Sequence, residues 1–192
     1  MNEIPCGTHR RCATALMRCA LLALGLILSA CRHAPRSAGF SYGTDNAVAL
    51  AAFNRGWMQI MDEGRWTAAE RSFREAADAD PSFILGAALV ARITTDLDER
   101  QALLANIEAN LDRADTDCRL LLDVFLMNIR AMNARDEGRA MPAVFNEERR
   151  SLALRNFGAF VTAHPQEPYI QAEYIEWIHA VHGAEAALEA ME

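Results

Sequence analysis

Downstream of residue 45 the hydrophobic positions recur at three- and four-residue spacing, the period of helices with one buried face. In "AAFNRGWMQIMDEGRW" the residues Phe53, Trp57, Ile60 and Met61 form one such face. Gly64 predicts a break with a tight turn. Trp66, Ala69, Phe73, Ala76 and Ala77 then form the facing stripe of a second helix, so the two predict a hairpin. Pro81 predicts the end of that helix and, as an N1 proline behind an Asp80 cap, the start of a third. Further helices are expected near 82–95, 98–112 and 116–134, with the capping types Thr95, Asp96, Asp115 and Thr116 at their breaks. Pro142 predicts a long helix to about Ala163, Pro168 another ending near Gly183, and "AEAALEAME" a short terminal one. The runs "LLLDVFLMNI" and "YIQAEYIEWIHAV" are apolar nearly all round, which predicts central helices covered on both sides.

Eight helices in four antiparallel hairpins result. Two short patterns recur within them. Ala69, Phe73 and Pro81 share their spacing with Ala153, Phe157 and Pro165. This spacing resembles the signature of the tetratricopeptide repeat (TPR), in which Gly64, Trp66 and Ala76 also sit where that family places a turn glycine, an aromatic and a small residue. The family prefers a large residue followed by Gly in its first helix; here Gly56 precedes Trp57, which predicts an altered crossing of the two helices. The two copies are 84 residues apart, not a multiple of the family's period of about 34. The resemblance therefore implies an all-α fold over residues 45–192, antiparallel hairpins stacked as a short TPR-like α-solenoid with irregular middle repeats. A single hairpin cannot bury its apolar face alone, so neighbours must stack.

The N-terminus follows another pattern. Arg10, Arg11 and Arg18 precede the eleven-residue apolar run "ALLALGLILSA", Ala20 to Ala30. That run is too short to span a bilayer core of about 30 Å but has the length of a signal-peptide h-region. Leu28-Ser29-Ala30-Cys31 resembles the lipobox of bacterial lipoproteins. The resemblance implies cleavage of residues 1–30 as a signal peptide and a diacylglyceryl group on Cys31. It also implies a site in the outer membrane facing the periplasm, because Arg32 is not the Asp that retains such proteins in the inner membrane of enteric bacteria. "MRCALLALGLILSAC" is by itself a complete short leader, so Met17 is a second candidate start. Residues 31–44, with Pro35, Gly39, Gly43 and several Ser and Ala, read as a lipidated Cys and a flexible tether.

Composition narrows the function classes. Glycine and proline number only 10 and 6 in 192 residues, which argues against an all-β or disordered chain. The net charge of −7 disfavours binding to nucleic acid. All 19 basic residues are arginine, so every cation is a planar fork able to pair bidentately. Cys6, Cys12 and Cys19 fall in the leader; Cys118 stays alone and reads as a buried helix residue, with no internal disulfide expected in the mature chain. Glu173, Glu176, His179 and His182 share a helix face but lack the HExxH spacing. Capping is favoured over metal binding, and no cofactor or metal is expected. No nucleophile triad, Walker loop or EF-hand spacing is present. "NEERR", Asn146 to Arg150, reads as a solvated helix face, and Met58, Met61, Met127, Met132 and Met141 as core filler.

These features point to a non-catalytic, membrane-anchored lipoprotein, a scaffold or adaptor taking protein or peptide partners along its first helices. Asn54, Arg55, Gln59 and Arg92 are the candidate contact residues. The alternative is a small-ligand-binding lipoprotein working with a transporter, its pocket lined by the Trp and Met residues near 57–66.

Overall fold

A computed structural model describes residues 39–192; the leader, Cys31 and the first part of the tether lie outside the described residues. Among the described residues the protein is all-helical, without strands. Eight helices follow in order: α1 Ala47–Met61, α2 Trp66–Ala79, α3 Ile84–Ile93, α4 Leu97–Ala109, α5 Thr116–Asp136, α6 Ala143–Ala163, α7 Pro168–His182 and α8 Ala184–Glu189, with a 3-10 turn at Leu111–Arg113. None is long and apolar enough to cross a membrane.

The chain's own punctuation sets these boundaries. Asn46 caps α1 by accepting from the amides of Val48 and Ala49, Asp96 caps α4 through Glu99, and Asp115 caps α5 through Cys118. Gly64 turns the α1–α2 hairpin at φ +65°, where a side chain would be strained. Pro81 departs from its expected role. It sits in a turn, and α3 begins only at Ile84, behind Phe83. Asp80 caps no helix start; its carboxylate accepts from the Ser82 amide (3.0 Å) and hydroxyl (2.6 Å), which folds an Asx-type turn around the proline. Pro165 repeats this layout. Asp80 and His164 close α2 and α6 by donating to Ala76 and Phe160, and Phe83 and Glu167 donate back to Asp80 and His164.

Consecutive helices pack against each other throughout, α3 also packs on α5, and α1 meets α7. The core runs through the middle of this stack. One end of it is aromatic: the Phe53 ring lies 4.8 Å from Tyr42, 5.9 Å from Phe73 and 5.0 Å from Phe83, centroid to centroid. The other end packs Phe125 against Phe157 at 6.1 Å. The repeated positions Ala69, Phe73, Ala153 and Phe157 are all buried. α5 is the central helix its composition suggests, burying Leu121, Leu122, Val124, Phe125, Leu126 and Ile129. α7 is not: only Ile170, Glu173 and Ile178 are fully buried, and its other apolar residues are covered on one side alone. None of the five methionines is fully buried: Met58 is exposed and the other four are half-buried, Met61 packing against the core. Cys118 is buried, as read, and burial pushes its thiol pKa up, keeping it protonated.

Residues 39–44 correct the tether boundary. They lie on the helical body, with Tyr42 and Thr44 buried. The Phe40 amide donates to Glu167 Oε1 (2.8 Å) and the Tyr42 hydroxyl to Glu167 Oε2 (2.6 Å). Phe40 also packs on Phe160 and on His164. Two aromatic rings outweigh the glycine and serine around them: burying each removes apolar surface worth about 1.5–3 kcal/mol. That gain holds Tyr42 at φ +57°, a conformation a non-glycine residue rarely adopts. Glu167→Ala is expected to release this segment. Amide hydrogen exchange at Phe40 and Tyr42 should accelerate while α5 stays protected; unchanged protection at Phe40 would show that ring packing alone holds the segment.

Glu99 ties three elements together. It accepts from Arg74 of α2 at 2.5 Å and from Thr94 at the α3–α4 turn at 2.5 Å. Arg74 first, then Thr94, holds its carboxyl down at about 2. A carboxylate with a depressed folded pKa contributes stability that is present above its unfolded value and lost as pH falls through the folded one. Both side chains are about a third exposed, so the contribution is no more than about 1 kcal/mol. Glu99→Gln should therefore lower Tm at pH 7, with the gap to the parent closing between about pH 4.5 and pH 2 in a pH-resolved melt.

Candidate functional site

Two recesses on one side of the stack join into a groove. The first, about 330 Å³, is walled by Trp57, Ile60 and Met61 of α1, Trp66 and Phe73 of α2, and Leu89, Arg92 and Ile93 of α3. The second, about 690 Å³, is floored by Asn128, Met132 and Arg135 of α5, Arg149 and Arg150 of α6, and Trp177 of α7. Both are lined by Trp66, Arg92, Glu173 and Glu176, which makes them one continuous depression. Volumes of this order suit a bound side chain or small ligand.

Helix geometry explains the lining. Trp57, Ile60 and Met61 lie on one face of α1 by their three- and four-residue spacing. Trp57 is buried by Phe53, Phe73 and Tyr169, the last stacked at 6.2 Å, yet its indole N–H has no partner among the described residues. Trp66 was expected in the α1–α2 interface with Ala69 and Phe73. It is instead 63% exposed at the first position of α2, on the rim of the recess that it shares with Trp57, Ile60 and Met61. A large exposed aromatic at the junction of two recesses is an unusual use of apolar surface.

Arg92 crosses the junction. Its guanidinium donates to both carboxylate oxygens of Glu173, at 2.9 and 3.3 Å, and lies 4.5 Å over the Phe125 ring. This pairing accounts for the burial of Glu173 in α7. Arg149 stacks 5.3 Å over Trp177 and donates to Asn128 at 3.2 Å, and its Nε lacks a partner among the described residues.

The four candidate contact residues do not converge. Arg92 alone lines the groove. Arg55 donates to Ser72 (3.2 Å) and Glu75 (2.5 Å), while Gln59 accepts from Ser72 (2.8 Å); both stitch α1 to α2. Asn54 is exposed and lines none of the groove. Trp66 falls within the 57–66 stretch expected to line a small-ligand pocket, whereas Trp177, Arg149 and Arg150 were missed as site residues. The "NEERR" run hid the two arginines among acids, although Arg149 is only partly exposed and faces α7. Glu173 is committed to Arg92, and His179 and His182 are exposed in the last turn of α7. Among the described residues no three His, Cys, Asp or Glu side chains converge as a metal site would require. No protein-family model, characterised protein or solved structure matches the chain.

Proposed function

We propose that the protein is a non-catalytic adaptor of the bacterial cell envelope, anchored by lipid on Cys31, that receives polypeptide segments in the groove between its helical hairpins. The observation that carries this reading is the continuity of the two recesses through Trp66 and Arg92. An elongated groove with an aromatic and an arginine at its waist suits an extended or helical segment, in which successive side chains meet successive recesses. The matching turns around Pro81 and Pro165 support the TPR-like part of the reading, since like turns set like hairpins. The leader and lipobox residues support the cleaved signal peptide and the periplasm-facing outer-membrane site. The alternative is a small-ligand carrier. The recess walled by Trp57, Met61 and Trp66 favours it, as these are the residues expected to line such a pocket.

One experiment separates the two. A photo-crosslinking side chain placed at position 66, and in a control at position 54, is activated in intact envelopes. A discrete polypeptide adduct at 66 and none at 54 is the expected result. Equal adducts at both positions, or none at 66 with a small molecule retained in native mass spectrometry, would reject the adaptor.

A further inference from the structure

The groove carries a charge opposite in sign to that of the whole protein. The chain has a net charge of −7, yet the second recess is lined by Arg92, Arg135, Arg149 and Arg150 against Glu173 and Glu176. Two of these arginines have carboxylate partners, Arg92 in a half-buried pair with Glu173 at 2.9 Å and Arg135 at the surface with Asp136 at 3.0 Å, while Glu176 is the one lining acid without a cation partner among the described residues. Arg149 and Arg150 have no carboxylate partner among the described residues, although Glu147 and Glu148 precede them on the same helix. Instead they adjoin each other, and burial together with the neighbouring Arg150 charge pushes the Arg149 pKa down. Like charges side by side in a half-dry wall cost free energy that an incoming anion offsets. The Arg149 guanidinium lies 5.3 Å over the Trp177 ring, and its Nε is buried without a partner, so an incoming anion meets its terminal amino groups. A planar fork held this way suits a carboxylate.

The geometry points to an acidic polypeptide segment as the occupant of the groove, with a bulky apolar side chain in the recess beside Trp66 and its Asp or Glu side chains along Arg149 and Arg150. This rests on the groove's being a polypeptide site, and it adds the sign of the charge. An apolar recess beside a basic trough calls for both features in one ligand. The protein's own N-terminal residues 1–38 do not qualify, because Arg10, Arg11, Arg18, Arg32 and Arg36 outnumber the one acid, Glu3.

The test uses three peptide arrays and purified protein. Each peptide has a central Leu, Phe or Trp followed by three residues, acidic in the first array, Gln in the second and Lys in the third. The expected result is binding to the acidic array at least ~10-fold tighter than to the Gln array and none to the Lys array, with affinity falling several-fold between ~50 and ~500 mM salt. Arg149→Glu/Arg150→Glu should remove the preference, whereas Arg55→Glu, outside the groove, should keep it. Equal binding to all three arrays, or a preference that survives the double variant, overturns the acidic assignment and leaves a polypeptide groove. No binding to any array overturns the polypeptide reading as well. Concentration-dependent self-association abolished by Arg149→Glu/Arg150→Glu would give the groove to a second copy of this chain and also overturn the proposal.

Discussion

Truncating Phe53 to Ala is expected to lower the free energy of unfolding by about 3–5 kcal/mol, the range for large aromatic truncations in a packed core. Phe53 is 1% exposed and its ring touches four others: Tyr42 from the N-terminal segment, Trp57 on its own helix, Phe73 of α2, and Phe83 ahead of α3. Each of these partners is itself almost fully buried, so none can swing into the vacated volume without opening a gap elsewhere. The loss therefore includes a cavity term in addition to the removed transfer free energy. Chemical denaturation of Phe53→Ala and Phe53→Leu checks this. The leucine variant should retain most of the stability, and a cost below about 1 kcal/mol for alanine would mean that the aromatic end of the core collapses freely.

The second large effect is expected at Gly56. A Cβ there would overlap the ring of Phe73, with the Cδ1 and Cζ atoms at 2.6 and 2.8 Å. In an exposed helix, alanine in place of glycine stabilises by about 1 kcal/mol. At Gly56 the sign reverses, because Phe73 is fixed between Phe53 at 5.9 Å and Trp57 at 6.0 Å and cannot give way. Gly56→Ala should cost about 1–3 kcal/mol. Adding Phe73→Leu should recover part of that loss in a double-mutant cycle, since a smaller side chain restores the room. Strict additivity of the two substitutions would show that the methyl group and the ring do not meet. The reversed order of Gly56 and Trp57 had suggested an altered crossing. The structure shows where closeness is achieved: α1 and α2 approach through Gly56 itself, which admits the Phe73 ring against the helix backbone.

How far the sequence could be read depended on the range of the contact involved. Caps such as Asp96 and Asp115 and stops such as Gly64 act within a few residues, so helix boundaries were legible to within a turn. Pro81 was ambiguous even locally, because Asp80 can either cap a helix or fold an Asx turn, and Ser82 decided for the turn. Trp66 satisfied the periodicity of a buried stripe, but periodicity does not say how far along the helix a neighbour extends. Arg149 and Arg150 looked like a solvated run, since nothing local reveals that α7 and Trp177 lie opposite. Phe40 and Tyr42 were assigned to a tether by the company they keep, and their partner Glu167 lies well over a hundred residues away. The groove was the least legible feature because six helices contribute to it.

The placement of Phe40 and Tyr42 on Glu167 has a mechanical consequence. A pull on the chain from the N-terminal side of Gly39 does not load the first hairpin first. The force arrives at the turn between α6 and α7, through the Phe40 and Tyr42 hydrogen bonds, and reaches α1 and the end of α2 only after those yield, through Thr44 on Asp80 (2.5 Å) and Asn46 on the Ala79 carbonyl (2.7 Å). The first resistance to stretching thus comes from the closing hairpin of the stack, and the aromatic core around Phe53 bears load only once that latch has peeled away.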